Sequence, residues 1–222
     1  MMEGRIKGRE ASTKMSVIGK IRVGEKREKN GKEYPVSLDY FKASGDYSDK
    51  FDTLFGKPKR LEILFLSDDI SDVCSQRFEL WKGKKLFGFS DGEQVRLWNK
   101  EKEEYSLYLL SEKPDIMDAA ARKAEAEWTE ILTLRFLLTE FRAALGVWQL
   151  DTHGAKSSIK EIISTFDFVK EKRGSVVGIP FDLIVEKVTS KKPDSKSIYP
   201  VIRIIPKGQQ VTSETAKNLL TQ

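Results

Sequence analysis

Cys74 and His153 are the only cysteine and histidine in the sequence, and they bound the chemistry it can do. A structural zinc site needs about four Cys, His or acidic ligands at short spacings, so neither zinc nor any other metal is expected. A Cys–His nucleophile pair would need Cys74 and His153 to meet. Cys74 lies in Val73-Cys74-Ser75, at the start of an expected strand, where an inert buried thiol is the plainer account. No catalytic residue and no cofactor is expected.

Asp68, Asp69 and Asp72 offer hard oxygen ligands suited to Mg²⁺. Ser/Asp clusters after a strand are also common turns and helix caps, which is the stronger reading here. Asp151–Ser158 (DTHGAKSS) puts Gly154, Lys156 and two serine hydroxyls ahead of a helix, as a phosphate-binding turn does. It lacks the glycine spacing of an NTP-binding loop. Lys156 is therefore a candidate for a backbone phosphate, against the simpler alternative of a turn and cap.

The remaining signal is basic and aromatic. Arg77, Trp81, Lys82, Lys84, Lys85, Phe87, Phe89, Arg96 and Trp98 fall on consecutive expected strands. Aromatic rings on a sheet stack bases while Lys and Arg follow phosphates. The competing account makes the rings core and the lysines turn solvators. Lys20 and Arg22, alternating with Ile21 and Val23, form a second candidate patch.

The elements that must position these residues follow from pattern. Val17–Val23 alternates with period 2, as a strand does. Asn30-Gly31 marks a hairpin turn that needs positive φ twice. Tyr34–Phe41 returns, with Pro35 arguing for a sheet edge. Tyr47, Phe51, Leu54 and Phe55 suggest a short helix, and Leu61–Leu66 a buried strand. Gln76–Trp81, Lys85–Phe89, Gln94–Trp98 and Tyr105–Leu110, separated by turn residues, describe an antiparallel meander. A helix opens at Pro114-Asp115; Ile131–Leu138 fits a strand or a continued helix, its alternation favouring the strand, and Val147–Leu150 is a short strand. Ser158 and Glu161 have capping-box spacing ahead of a helix with Ile159, Ile162, Ile163, Phe166 and Val169 on one face. Phe181–Val188 and Ser197–Ile205 are strands joined by a lysine-rich loop, Ser190–Lys196.

The expected fold class is α+β, a mainly antiparallel sheet with a few helices. Its candidate arrangements are an OB-like barrel or two small subdomains. The expected division is a mobile basic tail at 1–15, a β-rich subdomain at 16–111, an α+β subdomain at 112–207, and a tail or short helix at 208–222.

The 222 residues are 39% hydrophobic and 10% aromatic, too apolar for a disordered chain. No apolar run approaches the roughly 20 residues that span a bilayer, so no membrane partner is expected. Met1–Lys14 is charged and lacks an apolar core, so no secretory leader is expected. One cysteine permits no internal disulfide and fits a reducing compartment, with the cytoplasm as the expected location. The net charge is +5, and residues 1–32 alone hold ten Lys/Arg against four Glu. That permits an anionic partner without requiring one.

Several stretches together resemble a known family: Ile18–Lys26 (IGKIRVGEK), Asn30–Phe41 (NGKEYPVSLDYF), Lys59–Ile63 (KRLEI), Gly146–Leu150 (GVWQL) with Gly154–Ser158 (GAKSS), and Gly178–Leu183 (GIPFDL). They look like the phage and prophage recombination directionality factors that partner large serine integrases, over Ser16 to Lys207. The resemblance implies a factor that binds its integrase on DNA and favours excision over integration. It would have no cofactor, no small-molecule substrate and no bond-making chemistry of its own. DNA would be contacted directly or through the integrase. The alternatives are a phage-type single-stranded-DNA-binding protein using the basic–aromatic sheet, and a metal-dependent enzyme acting on nucleic acid.

Overall fold

A computed structural model describes residues 16–190 and 197–208. The basic tail, most of the lysine-rich loop and residues 209–222 lie outside that description. Strands β1 (Val17–Lys29) and β2 (Lys32–Ser44) form the expected hairpin. Asn30 and Gly31 both have positive φ, at 54° and 72°, the pair of left-handed conformations that lets a tight turn follow the strand twist. Among the described residues strand β2 pairs with β1 alone, which places Pro35 on a sheet edge there.

Helix α1 (Ser48–Phe55) leads to β3 (Arg60–Leu64) and the single turn α2 (Ile70–Val73). The meander follows as β4 (Cys74–Lys82), β5 (Lys85–Ser90), β6 (Gln94–Asn99) and β7 (Glu104–Leu109). Then come α3 (Ile116–Ala124), β8 (Trp128–Leu138), β9 (Val147–Thr152), α4 (Lys160–Arg173), β10 (Pro180–Thr189) and β11 (Ile198–Pro206).

The class is α+β, with eleven strands among the described residues in a mainly antiparallel sheet. One run is ordered β2-β1-β9-β8-β4-β5-β6-β7 and another β11-β10-β3. They join on β8, whose last two residues, Leu137 and Leu138, pair with Leu64 and Ile63 of β3. The β1–β9 pairing is parallel, with Lys20 beside Gln149 and Ile21 beside Leu150.

The main core lies between these runs. Ile21, Phe41, Leu134, Trp148 and Leu150 come from the first, Leu61, Ile63, Leu183 and Ile202 from the second, and Ile162, Phe166 and Val169 from α4. Its centre is aromatic. Phe65 meets Phe166 and Phe181 edge-on, each at 5.2 Å, and Trp148 meets Phe141 at 5.1 Å, a geometry that matches ring edges to ring faces. Gly19 admits this packing: a Cβ there would lie 2.5 Å from Cζ3 of Trp148. A second core forms where α3 lays Ala120 and Ala124 on Leu80 of the meander, with Phe87, Leu97 and Trp128 around them.

One expectation fails. Ser158 does not cap α4, whose first turn has no side-chain cap. The chain makes a single π-helical turn over Ala155–Ile159 first, and the buried Ser158 hydroxyl accepts a bond from the Ile202 amide at 2.9 Å. Glu161, the other half of the expected box, pairs with Arg203 at 2.7 Å.

Candidate partner and nucleic-acid interface

Strand alternation sorts the meander into two faces. Leu80, Gly88, Val95 and Leu97 turn inward toward α3. The outward face carries Arg77, Glu79 and Trp81 of β4, Phe89 of β5, Arg96 and Trp98 of β6, and Tyr105, Leu107 and Leu109 of β7. Cross-strand register sets Glu79, Phe89, Arg96 and Leu107 in one row across all four strands.

The groups of this face hold one another in place. Arg77 Nε donates to Glu79 Oε1 at 2.8 Å, and its guanidinium lies 5.1 Å from the centre of the Phe89 ring. Trp81 Nε1 donates to Glu79 Oε2 at 2.7 Å. Tyr105 stands edge-on between Phe89 and Trp98, at 5.2 and 5.3 Å, and its hydroxyl donates to the Leu86 carbonyl at 3.1 Å. Glu79 is only 4% exposed, so the anchoring carboxylate is buried. Trp81 and Trp98 remain 43% and 41% exposed. The result is a braced apolar–aromatic surface, ordered before any partner arrives.

Each sequence candidate has a definite place. Arg77, Trp81, Arg96 and Trp98 come together on this face. Arg77 spends its charge on Glu79, which leaves Arg96 as the more available cation there. Lys84 and Lys85 sit exposed at the β4–β5 turn, off the face. Lys85 instead borders a groove of about 960 Å³ beside α3, with Lys82, Phe87, Leu97, Lys100 and Lys123.

Lys20 and Arg22 lie on β1, on the same sheet face, carried there through Gln149, Arg135, Thr133 and Ser75. Five strand steps separate β1 from β6, about 24 Å at the usual spacing, so the two patches are distinct. Lys20 Nζ binds Asp151 Oδ2 at 3.0 Å. Asp151 also accepts from Thr133 Oγ1 and Gln149 Nε2, each at 2.8 Å. Burial pushes its carboxyl up, but the bonds from Lys20, Thr133 and Gln149 outweigh that and hold it below the ordinary aspartate value. Lys20 is thus committed to structure. Arg22 is exposed and in register with Lys42 of β2. Lys156 falls in the π-helical turn, and its side chain lies outside the description. The neighbouring Ser158 hydroxyl, expected to help hold a phosphate, is spent on β11.

The aspartate cluster is architectural. Asp69 caps α2 by accepting from the Ser71 amide at 2.9 Å. Asp68 accepts from the Val176 amide at 2.7 Å and the Ser175 hydroxyl at 2.8 Å. Among the described residues no group of His, Cys, Asp and Glu could hold a metal ion. Cys74 is buried, and burial, with Asp167 nearby, pushes its thiol up to about 12. No helix among the described residues is long and apolar enough to cross a membrane.

Sequence reasoning missed Glu79, Tyr105, Leu107 and Leu109. The signal was present in the period of 2 that runs Arg77, Glu79, Trp81 and Tyr105, Leu107, Leu109 along β4 and β7.

A family model described as Gp3-like, recombination directionality factor-like, matches residues 18–207. No curated protein and no solved structure matches the chain.

Proposed function

The chain belongs to the Gp3-like, recombination directionality factor-like family, and on that premise we propose that it binds a large serine integrase on DNA and favours excision over integration. The family match is the observation that carries this reading. The factor does no bond-making chemistry in it; the integrase cuts and joins the DNA, and the factor changes which product accumulates.

A protein that redirects another's reaction must bind two states of its partner unequally, because equal affinity shifts nothing. Moving a ratio from 1:99 to 99:1 takes about 5.5 kcal/mol of preference. Interface anchors contribute about 2 kcal/mol or more each when they are desolvated aromatic or arginine side chains. The face built on Trp81, Trp98, Tyr105, Leu107 and Arg96 has that composition, and its bracing lowers the ordering cost of binding.

The test is recombination of paired attachment sites by the cognate serine integrase, with and without this protein. Excision should rise and integration fall. No effect on either direction, with both proteins folded, overturns the reading.

The exposed Trp81 and Trp98 rings beside Arg96 favour a second reading, a single-stranded-DNA-binding protein that stacks bases on the same face. Tight, salt-sensitive single-strand binding together with an inert recombination assay would select it.

A further inference from the structure

Three strands end the described sheets, each having a ladder partner on one side alone: β2, β11 and β7. Such an edge presents amide and carbonyl groups to any other extended chain, and proteins usually blunt it with proline, lysine or a covering element. Strand β2 carries Pro35, Lys32 and Lys42, and the Phe41 amide is taken by the Pro58 carbonyl at 2.8 Å. Strand β11 carries Pro200 and Pro206, and its Ile202 amide is taken by Ser158. Strand β7, Glu104-Tyr-Ser-Leu-Tyr-Leu109, has neither proline nor lysine. Its outer residues Leu107 and Leu109 are 49% and 37% exposed.

The direction of the β7 backbone is fixed by one bond. The Leu110 amide donates to the Glu93 carbonyl at 2.9 Å, one step beyond the Gln94–Leu109 pair. In an antiparallel ladder, hydrogen-bonded and non-bonded pairs alternate. The backbones of Glu104, Ser106 and Tyr108 therefore point at β6. Those of Tyr105, Leu107 and Leu109 point away from the sheet, toward the edge.

We propose that β7 is a self-pairing edge, through which two copies of this chain join antiparallel about a two-fold axis at Leu107. The occupant follows from symmetry. An axis through a residue keeps the outer face of one copy level with the outer face of the other, whereas an axis between residues would set inner side chains opposite outer ones. Leu107 is the middle of the outward-pointing set. Centred there, Leu107 faces its own copy and Tyr105 faces Leu109. The Leu109 carbonyl is taken within the chain by the Glu112 and Lys113 amides, at 3.2 and 3.0 Å. The Leu107 pair thus exchanges both bonds, and each Tyr105–Leu109 pair adds the bond from the Leu109 amide to the Tyr105 carbonyl. The cross-strand pairs are apolar or aromatic, the kind that stabilises adjacent strands, and no like charges meet. The contact is isologous and closes on itself. It carries the outer face without interruption from Trp98 and Tyr105 of one copy to those of the other. The proposal goes beyond the recombination reading and stands independently of it.

The test is light scattering of the full chain over a dilution series, with circular dichroism as the folding control. The unaltered protein should pass from dimer to monomer on dilution. Leu107→Pro removes an outward amide and no β6–β7 ladder bond, and should leave a monomer throughout. Leu107→Lys and Leu107→Glu, each alone, place like charges opposite each other across the axis and should also be monomeric. Mixing the Leu107→Lys and Leu107→Glu proteins should restore a dimer containing one of each, which reports the register directly. If the proline variant fails to fold, the charge pair decides. An unaltered protein that is monomeric at every concentration overturns the proposal. So does a dimer that survives the charge substitutions, a mixture that stays monomeric, or a monomer whose β7 variants lose only recombinase binding.

Discussion

The Trp98 ring braces Tyr105 with one edge and leaves two-fifths of its surface to solvent. Removing it should therefore cost binding more than folding. Trp98→Ala is expected to weaken association with the cognate integrase by about 2 kcal/mol, roughly 30-fold, with little change in melting temperature. Calorimetric titration beside thermal unfolding would check this, and an unchanged affinity would move the contact off this face. Trp81 and Trp98 were legible because large rings next to lysines stand out by type alone. Glu79 was not, since a carboxylate within an aromatic run reads as solvated until the fold is seen to bury it between Arg77 and Trp81. The same blindness counted Lys20 and Arg77 as free cations. Their carboxylate partners lie one strand away in space for Lys20, at Asp151, and two residues along for Arg77.

Most elements could be read from alternation and turn chemistry, because those signals are local. The Asn30-Gly31 hairpin and the meander punctuated at Gly83 and Gly92 are examples, as is β8, whose period of 2 outweighed its helix-compatible leucines. The start of α4 misled for the complementary reason. Serine three residues before glutamate is a cap only if the helix begins there, and a hydroxyl facing β11 has a partner that spacing cannot reveal. Ser158→Ala would leave the Ile202 amide buried without an acceptor, at a cost of about 1–3 kcal/mol. Denaturant unfolding should show a lower midpoint with helix content unchanged. A loss of helical signal in the folded protein would instead restore the capping role.

Across the whole molecule, Cys74 reports on integrity. It is buried in the main core, against α4 and β8, with its thiol pushed up to about 12, so little thiolate exists at neutral pH. Labelling by a thiol reagent should be slow in native buffer, paced by opening of the core, and complete at once in denaturant. Immediate labelling of the native chain would mean that this region is not closed. The least legible global feature was the parallel pairing of β1 with β9, since nothing in either strand's pattern names a neighbour so distant in sequence.

That pairing has a consequence for how the protein is made. Val17 cannot meet Val147 until the second has left the ribosome, and synthesis proceeds at about 5–20 residues per second. In the interval β1 and β2 exist as a two-stranded hairpin, which is at best marginally stable in water. It exposes Ile21 and Phe41, residues the finished protein hides completely or nearly so. The hairpin thus emerges well before the strand that completes its place, and until β9 arrives its inner side chains are open to contacts that the finished protein closes off.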